Sequence, residues 1–178
     1  TFLVAQGVEV GKSLCERDVL DEAKKIMATA SSSGCEILLP IDRVCVTKFG
    51  ENAPFEIRKT DEMPAEEEAV DVGPETIEML EDVLSGCNTA LWNGPMGVFE
   101  VKPFDRGTND LARAVAHLTK AGSLVSVAGG GDTVSALENA GAADQFTYIS
   151  TAGGAFLEWL EGKELPGVAA LSSQKAAA

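Results

Sequence analysis

The sequence predicts an α/β domain, Rossmann-like in having three layers, with a mostly parallel sheet and helices on both faces. Three observations predict it. Short apolar strand candidates alternate with amphipathic helical stretches from residue 73 onward, and three of those strands run directly into glycine-rich loops. The 178 residues are 45% hydrophobic and 24% charged, a globular composition that can supply one core.

Taken in order, Leu20, Ala23, Met27 and Ala30 recur at helical spacing between Asp18 and Ala30, with Asp18 suited to the N-cap and Gly34 lying just beyond the end. Ile37-Leu38-Leu39, stopped by Pro40, reads as a buried strand, and Val44-Cys45-Val46-Thr47 as a second β-rich stretch. Asn52 to Glu68 reads as a solvated excursion carrying one strand at Phe55 to Arg58, its Glu66-Glu67-Glu68 run facing water. Gly73-Pro74-Glu75-Thr76 opens a helix: proline tolerates the first turn, glutamate suits the positive helix end, and Ile77, Leu80 and Leu84 form the buried stripe. Thr89 to Trp92 is a strand. A helix from Asn109 to Lys120 turns Leu111, Val115 and Leu118 to one side and stops at Gly122. Ser123 to Ala128 is a strand, Thr133 to Ala140 a helix, Phe146 to Ile149 a strand, and Ala155 to Leu160 the last long helix. Ser172 to Ala178 is expected to be a disordered tail.

Composition excludes several classes. Fourteen Lys and Arg against 28 Asp and Glu give a formal charge of −14, which argues against nucleic acid. Neither an apolar run of about 18 residues nor a basic segment ahead of an apolar one occurs, so no membrane span or secretory signal is expected, and the compartment expected is the cytoplasm. Cys15, Cys35, Cys45 and Cys87 are scattered and His117 is the only histidine, which suggests free thiols rather than a zinc cage or disulfide framework. His117, between Ala116 and Leu118, has no nucleophile or acid at a catalytic spacing and reads as structural. Gly7 to Ser13 imitates a Walker A loop, but Gln6 stands where its first glycine belongs and no strand precedes it, so Lys12 is read as a surface residue. The chain opens on Thr1 without a methionine, which points to a processed chain or a fragment.

The three loops are Asn93-Gly94-Pro95-Met96-Gly97, Gly129-Gly130-Gly131-Asp132-Thr133 and Ala152-Gly153-Gly154. In a parallel sheet all strands end on one edge, where ligands of open α/β sheets bind, so the loops are expected to share a crevice. Glycine lets main-chain N–H groups approach a ligand closely, and the second and third loops run straight into helices whose first amides favour anions. Together they describe a phosphate-binding cleft. Asp132 is either an N-cap or a carboxylate for Mg²⁺, and three glycines before it are more than a cap requires. Thr133 either opens the helix or donates to a phosphate. Glu100 is either an exposed loop acid or an acceptor for two ribose hydroxyls.

Leu91-Trp92-Asn93-Gly94-Pro95-Met96-Gly97-Val98-Phe99-Glu100, Val127 to Thr133, Ser150 to Ala155 and Leu160-Glu161-Gly162-Lys163-Glu164-Leu165-Pro166-Gly167-Val168 resemble, in order, the C-terminal half of phosphoglycerate kinases. Thr1 to Leu14 resembles a helix end and loop of the same domain. Ala152 departs from the family's usual three glycines, and Ala69 stands where the family has a glycine near the adenine.

The resemblance implies that residues 1–171 are a partial nucleotide-binding domain, incomplete at its N-terminal side, with the family's N-terminal substrate domain absent. It implies MgADP or MgATP as the bound nucleotide, with 3-phosphoglycerate or 1,3-bisphosphoglycerate held by the missing domain. Glu100 would take the ribose hydroxyls, and Asn93 and Pro95 would line the nucleotide cleft together with Gly97, Val98 and Val70. Asp132 would serve Mg²⁺ and Thr133 a phosphate, while Gly130, Gly131, Gly153 and Gly154 would present amides to the phosphoryl in transfer. Such chemistry asks for positioning and electrostatic stabilisation rather than a protein nucleophile. Arg17, Arg43, Arg58, Arg106 and Arg113 are dispersed and form no substrate patch, so without the second domain the chain alone is expected to be inactive; the resemblance implies a monomer at full length. The competing expectation is a nucleotide- or phosphate-binding module without catalysis.

Overall fold

The structure, a computed structural model, describes residues 1–150 and 153–175. In chain order its elements are α1 (Phe2–Ala5), a 3₁₀ turn (Arg17–Val19), α2 (Leu20–Ser33), β1 (Asp42–Val46), β2 (Glu56–Lys59), β3 (Glu68–Val72), α3 (Pro74–Ser85) and β4 (Thr89–Asn93). There follow α4 (Arg106–Lys120), β5 (Val125–Gly129), α5 (Gly131–Asn139), a 3₁₀ turn (Ala143–Gln145), β6 (Tyr148–Ser150), α6 (Gly153–Leu160) and α7 (Pro166–Lys175). The fold is α/β, as expected. The chain divides into two compact units, Thr1–Leu84 with Met96–Leu111, and Ser85–Pro95 with Ala112–Ala178.

The first unit is built on an antiparallel sheet in the order β2-β1-β3, a departure from the mostly parallel sheet expected. β1 pairs with β3 through an irregularity between Val44 and Cys45, so the register on either side differs by one residue. Phe104, wholly buried, packs with Val46 and Val70, and Val44, Ala53, Val98 and Val101 close around them. Ile37 to Leu39 form no strand: no ladder partner meets them among the described residues, and the Pro40 carbonyl is occupied by the Thr60 hydroxyl. β3 replaces the end of the expected wet excursion. Glu67 is only 7% exposed because Arg58 reaches it with Nε at 3.1 Å and Nη2 at 2.8 Å, and the same contact holds the Glu67 carboxyl below the usual carboxylate range.

Asp18 lies in the 3₁₀ turn rather than at an N-cap, and α2 runs on to Ser33, its Ser32 and Ser33 hydroxyls both donating to the Thr29 carbonyl at 2.9 Å. Helix α3 begins where Pro74 suggests, but its cap comes from β1. The Asp42 carboxylate, 1% exposed, accepts the N–H groups of Glu75 at 3.0 Å and Thr76 at 2.8 Å and the Thr76 hydroxyl at 2.6 Å. In the Walker-like segment Lys12 is exposed, as expected of a surface residue; its N–H donates to the Glu67 carbonyl at 2.8 Å, and Ser13 Oγ accepts the N–H of Ala69 at 2.9 Å.

The second unit contains a parallel sheet in the order β4-β5-β6. Trp92, Ser126 and Ala128 are buried, whereas Leu91, Val125 and Tyr148 are exposed, so the two faces of the sheet differ in how deeply their side chains are buried. That division follows the pleat, because cross-strand partners such as Trp92 and Ala128 share a face. The buried side is knitted by polar contacts. Thr119 donates to Ser126 Oγ at 2.8 Å, and Ser126 and Thr147 exchange backbone-to-hydroxyl bonds at 3.0 and 3.1 Å. Ser172 to Lys175 belong to α7 where a disordered tail is expected; Pro166 suits its first position, and Ala169 and Ala170 favour helix. Residues 176–178 of the expected tail lie outside the described residues. No helix is long and apolar enough to cross a membrane among the described residues.

Candidate functional site

Register fixes the frame of the site in the second unit. Asn93, Gly129 and Ser150 are paired across β4, β5 and β6 as the last rung of the parallel sheet. The three loops therefore leave one edge of one sheet. The first continues through Gly94 and Pro95, the second enters α5 at Gly131, and the third enters α6 at Gly153; Ala152 of the third loop lies outside the described residues.

Gly130 is the N-cap of α5 at φ +97°, ψ 140°, a conformation that side chains rarely adopt. A Cβ there would also stand 3.2 Å from Asn93 Oδ1 and 3.4 Å from Thr133 Oγ1. The first intrahelical bond of α5 runs from Val134 N–H to the Gly130 carbonyl at 3.0 Å. The N–H groups of Gly131, Asp132 and Thr133 precede it at the positive helix end, without intrahelical partners.

Thr133 lies in the first turn of α5 and is 2% exposed. Its Oγ1 accepts the N–H of Gly94 at 2.7 Å, tying the first loop to α5 within the unit. Trp92 braces the same turn, its indole N–H donating to the Gly94 carbonyl and its ring standing 6.2 Å from that of Phe146. Asp132 is exposed in the first turn of α5 and makes no hydrogen bond with the described residues. The cap position belongs to Gly130, so the capping role considered for Asp132 is already filled. No group of three His, Cys, Asp or Glu that could hold a metal occurs among the described residues. A lone exposed carboxylate beside anion-favouring amides suits Mg²⁺, which is commonly bound through one or two carboxylates with phosphate oxygens as the other ligands.

The remaining expected residues belong to the first unit. Glu100 is exposed and Phe99 before it is buried, so the loop is anchored one residue ahead of the acid. Val98 packs on the cluster of Val46, Val70 and Phe104, and its N–H donates to the Val70 carbonyl at 2.9 Å. Val70 is 6% exposed and sits in that core rather than on an open wall. Met96 N–H donates to Thr108 Oγ1 at 3.0 Å. Gly97 lies against Asp71, a residue the sequence reading passes over because an acid between Val70 and Val72 has no motif to mark it. Asn93, Pro95, Gly130, Gly131, Asp132, Thr133, Gly153 and Gly154 thus share the second unit, and Val70, Gly97, Val98 and Glu100 the first.

Comparison with known proteins agrees with these motifs. The family model for phosphoglycerate kinase matches residues 1–163. A phosphoglycerate kinase of Cereibacter sphaeroides (strain ATCC 17029 / ATH 2.4.9) is 58% identical over 172 residues, covering 97% of this chain and 43% of the relative. One from Azorhizobium caulinodans is 57% identical over 171 residues, covering 96% and 43%. Among solved structures, phosphoglycerate kinase from Coxiella burnetii matches with a TM-score of 0.91 at 40% identity, covering 99% of this chain and 44% of that one. The enzyme from Pyrococcus horikoshii OT3 matches at 0.79 and 27% identity, covering 96% and 42%. The chain thus spans less than half the length of the relatives it matches.

Proposed function

Because the chain belongs to the phosphoglycerate kinase family, we propose that it is a nucleotide-binding part of a glycolytic kinase that passes a phosphoryl group between 1,3-bisphosphoglycerate and ADP, or in reverse from ATP to 3-phosphoglycerate. The observation that carries the reading is the start of α5. Gly130 turns the chain so that the amides of Gly131, Asp132 and Thr133 open the helix at the last rung of a parallel sheet. Those amides hold phosphate oxygens, and Gly153 and Gly154 at the start of α6 add a second set.

Asp132 is assigned to Mg²⁺, which supplies neutralisation of phosphate charge when bound. Thr133 acts through Gly94: by accepting that N–H it holds the first loop in place, so that Asn93 and Pro95 line the cleft. Gly97, Val98 and Glu100 complete the motif, with Glu100 accepting the ribose hydroxyls. Val70 serves by its carbonyl, which orders Val98. Positioning of this kind, with fixed donors aimed at developing phosphoryl charge, is the main protein contribution in such reactions. The relatives are more than twice as long as this chain, and the phosphoglycerate is assigned to the portion of that length which the chain does not match.

Calorimetric titration of the chain with MgADP tests the reading. Glu100→Gln is expected to weaken binding by about 1.5 to 3 kcal/mol, the range for a hydrogen bond to a charged group. Asp132→Asn keeps an oxygen but loses the charge, so its nucleotide affinity should lose most of the Mg²⁺ dependence seen in the parent. Unchanged affinity in the first variant removes Glu100 from the site, and undiminished Mg²⁺ dependence in the second removes the metal assignment.

A further inference from the structure

Asp71, in β3, is a carboxylate 5% exposed that forms no ion pair among the described residues. Its Oδ2 accepts the N–H of Gly107 at 2.7 Å, and Oδ1 accepts the N–H of Val72 at 2.9 Å. Gly107 is the second residue of α4, so the carboxylate occupies the anion-favouring end of that helix. A Cβ on Gly97 would lie 2.3 Å from Oδ1 and one on Gly107 2.5 Å from it, which shows how closely both backbones press on this group. Gly97 is flanked by two further ties, Met96 N–H to Thr108 Oγ1 at 3.0 Å and Val98 N–H to the Val70 carbonyl at 2.9 Å. Strand β3, the loop from Met96 and the first turn of α4 thus meet around one buried charge within the first unit.

We propose that Asp71 is the positioning residue of the nucleotide-binding loop, fixing the backbone of Met96 to Val98 and, through it, the placement of Glu100. The proposal rests on the function given above for its ligand, and on contacts within one unit for its geometry. Asp71 touches no nucleotide; it acts through the loop.

Its chemistry supplies a readout that a bland packing role would not. Burial raises the Asp71 pKa to about 6; the amides of Gly107 and Val72 pull it back, while Asp105, just before α4, and Asp110, in α4, are the charged groups that face it and also raise it. When the loop opens and water reaches the carboxylate, its pKa returns toward the ordinary 3.8. The closed form therefore holds the proton more tightly, and opening becomes easier as pH rises through about 6. The opening constant is expected to grow about tenfold between pH 5 and pH 7.

Amide hydrogen exchange on the whole chain tests this, with rates corrected for the intrinsic effect of pH. In the parent, protection of Met96 and Val98 should fall about tenfold from pH 5 to pH 7. Asp71→Asn keeps an acceptor for Gly107 and should abolish that step. Asp71→Ala should cut protection of the same two amides more than tenfold at pH 7 while amides of β4 to β6 are unchanged, and should weaken MgADP binding at least tenfold, with Asp71→Asn restoring it. A pH step that persists in Asp71→Asn overturns the proposal, as does Met96 and Val98 protection that ignores Asp71→Ala. If Asp71→Ala does not fold, the Asp71→Asn profile decides. Lost protection with unchanged MgADP affinity would also overturn it, since the loop would then be held but not for nucleotide. A parent that binds no MgADP at all sinks the nucleotide reading alone, leaving the exchange profile to decide whether Asp71 positions the loop.

Discussion

Gly73→Ala is expected to destabilise the first unit by roughly 3 to 6 kcal/mol, a large share of the about 5 to 15 kcal/mol by which ordinary domains are stable. A Cβ built on Gly73 falls 2.2 Å from Asp42 Cγ, 2.3 Å from Oδ2 and 2.6 Å from Oδ1. The carboxylate cannot swing aside freely, because it is 1% exposed and holds the Glu75 and Thr76 amides and the Thr76 hydroxyl. Overpacking alone costs about 1 to 3 kcal/mol, and each hydrogen bond to a charged group that is surrendered costs about 1.5 to 3 more. Urea unfolding followed by far-ultraviolet circular dichroism measures the effect. A loss under about 1 kcal/mol would show that Asp42 can be displaced and that α3 does not depend on it.

Phe104→Ala should cost about 3 to 5 kcal/mol, the usual range for deleting a buried phenyl group. Phe104 has no exposed surface, and its ring stands 6.1 Å from that of Phe49 and, edge-on, 6.2 Å from that of Phe55. Its neighbours come from β1, the β1–β2 connection, β3 and the loop on either side of Phe99, so no single element can move inward to fill the space. Because Val70 and Val98 line the same cluster, the cavity opens beside the loop that leads to Glu100. A thermal melt of Phe104→Leu should recover most of the loss, since leucine refills much of the volume; equal loss in both variants would mean that ring shape rather than volume holds the cluster.

The second unit was the more legible in the sequence because its signals are local. Thr89 to Trp92, Ser123 to Ala128 and Phe146 to Ile149 each announce a strand by a short apolar run, and β4, β5 and β6 lie at those places with ends displaced by one or two residues. The glycine loops were legible for the same reason, and register does place them on one edge. What the sequence left open at Asp132 is closed on one side by Gly130, which takes the cap. Thr133 shows the limit: a hydroxyl at a helix start reads alike whether it faces ligand or, as here, a backbone amide in a preceding loop.

The first unit was harder because its determinants act across the chain. Glu67 sits in an acidic run that reads as solvated, and only Arg58, nine residues earlier, makes it a buried partner. Asp42 lies 34 residues before Thr76, and Asp71 lies 36 before Gly107. No window of helical or strand periodicity spans such distances. Ile37 to Leu39 fails in the opposite sense, having the composition of a strand but no ladder partner among the described residues.

The two long-range caps bear on the order of folding. A helix capped by its own neighbours can nucleate early, whereas α3 and α4 receive part of their N-terminal hydrogen bonding from β1 and β3, so those bonds form only after chain loops of more than thirty residues have closed. Contacts of that sequence separation are the slow part of a folding reaction. The Asp42 carboxylate bonds belong with late docking of helix on sheet, and Asp42→Ser, which shortens the cap without adding bulk, should hasten unfolding far more than it slows folding.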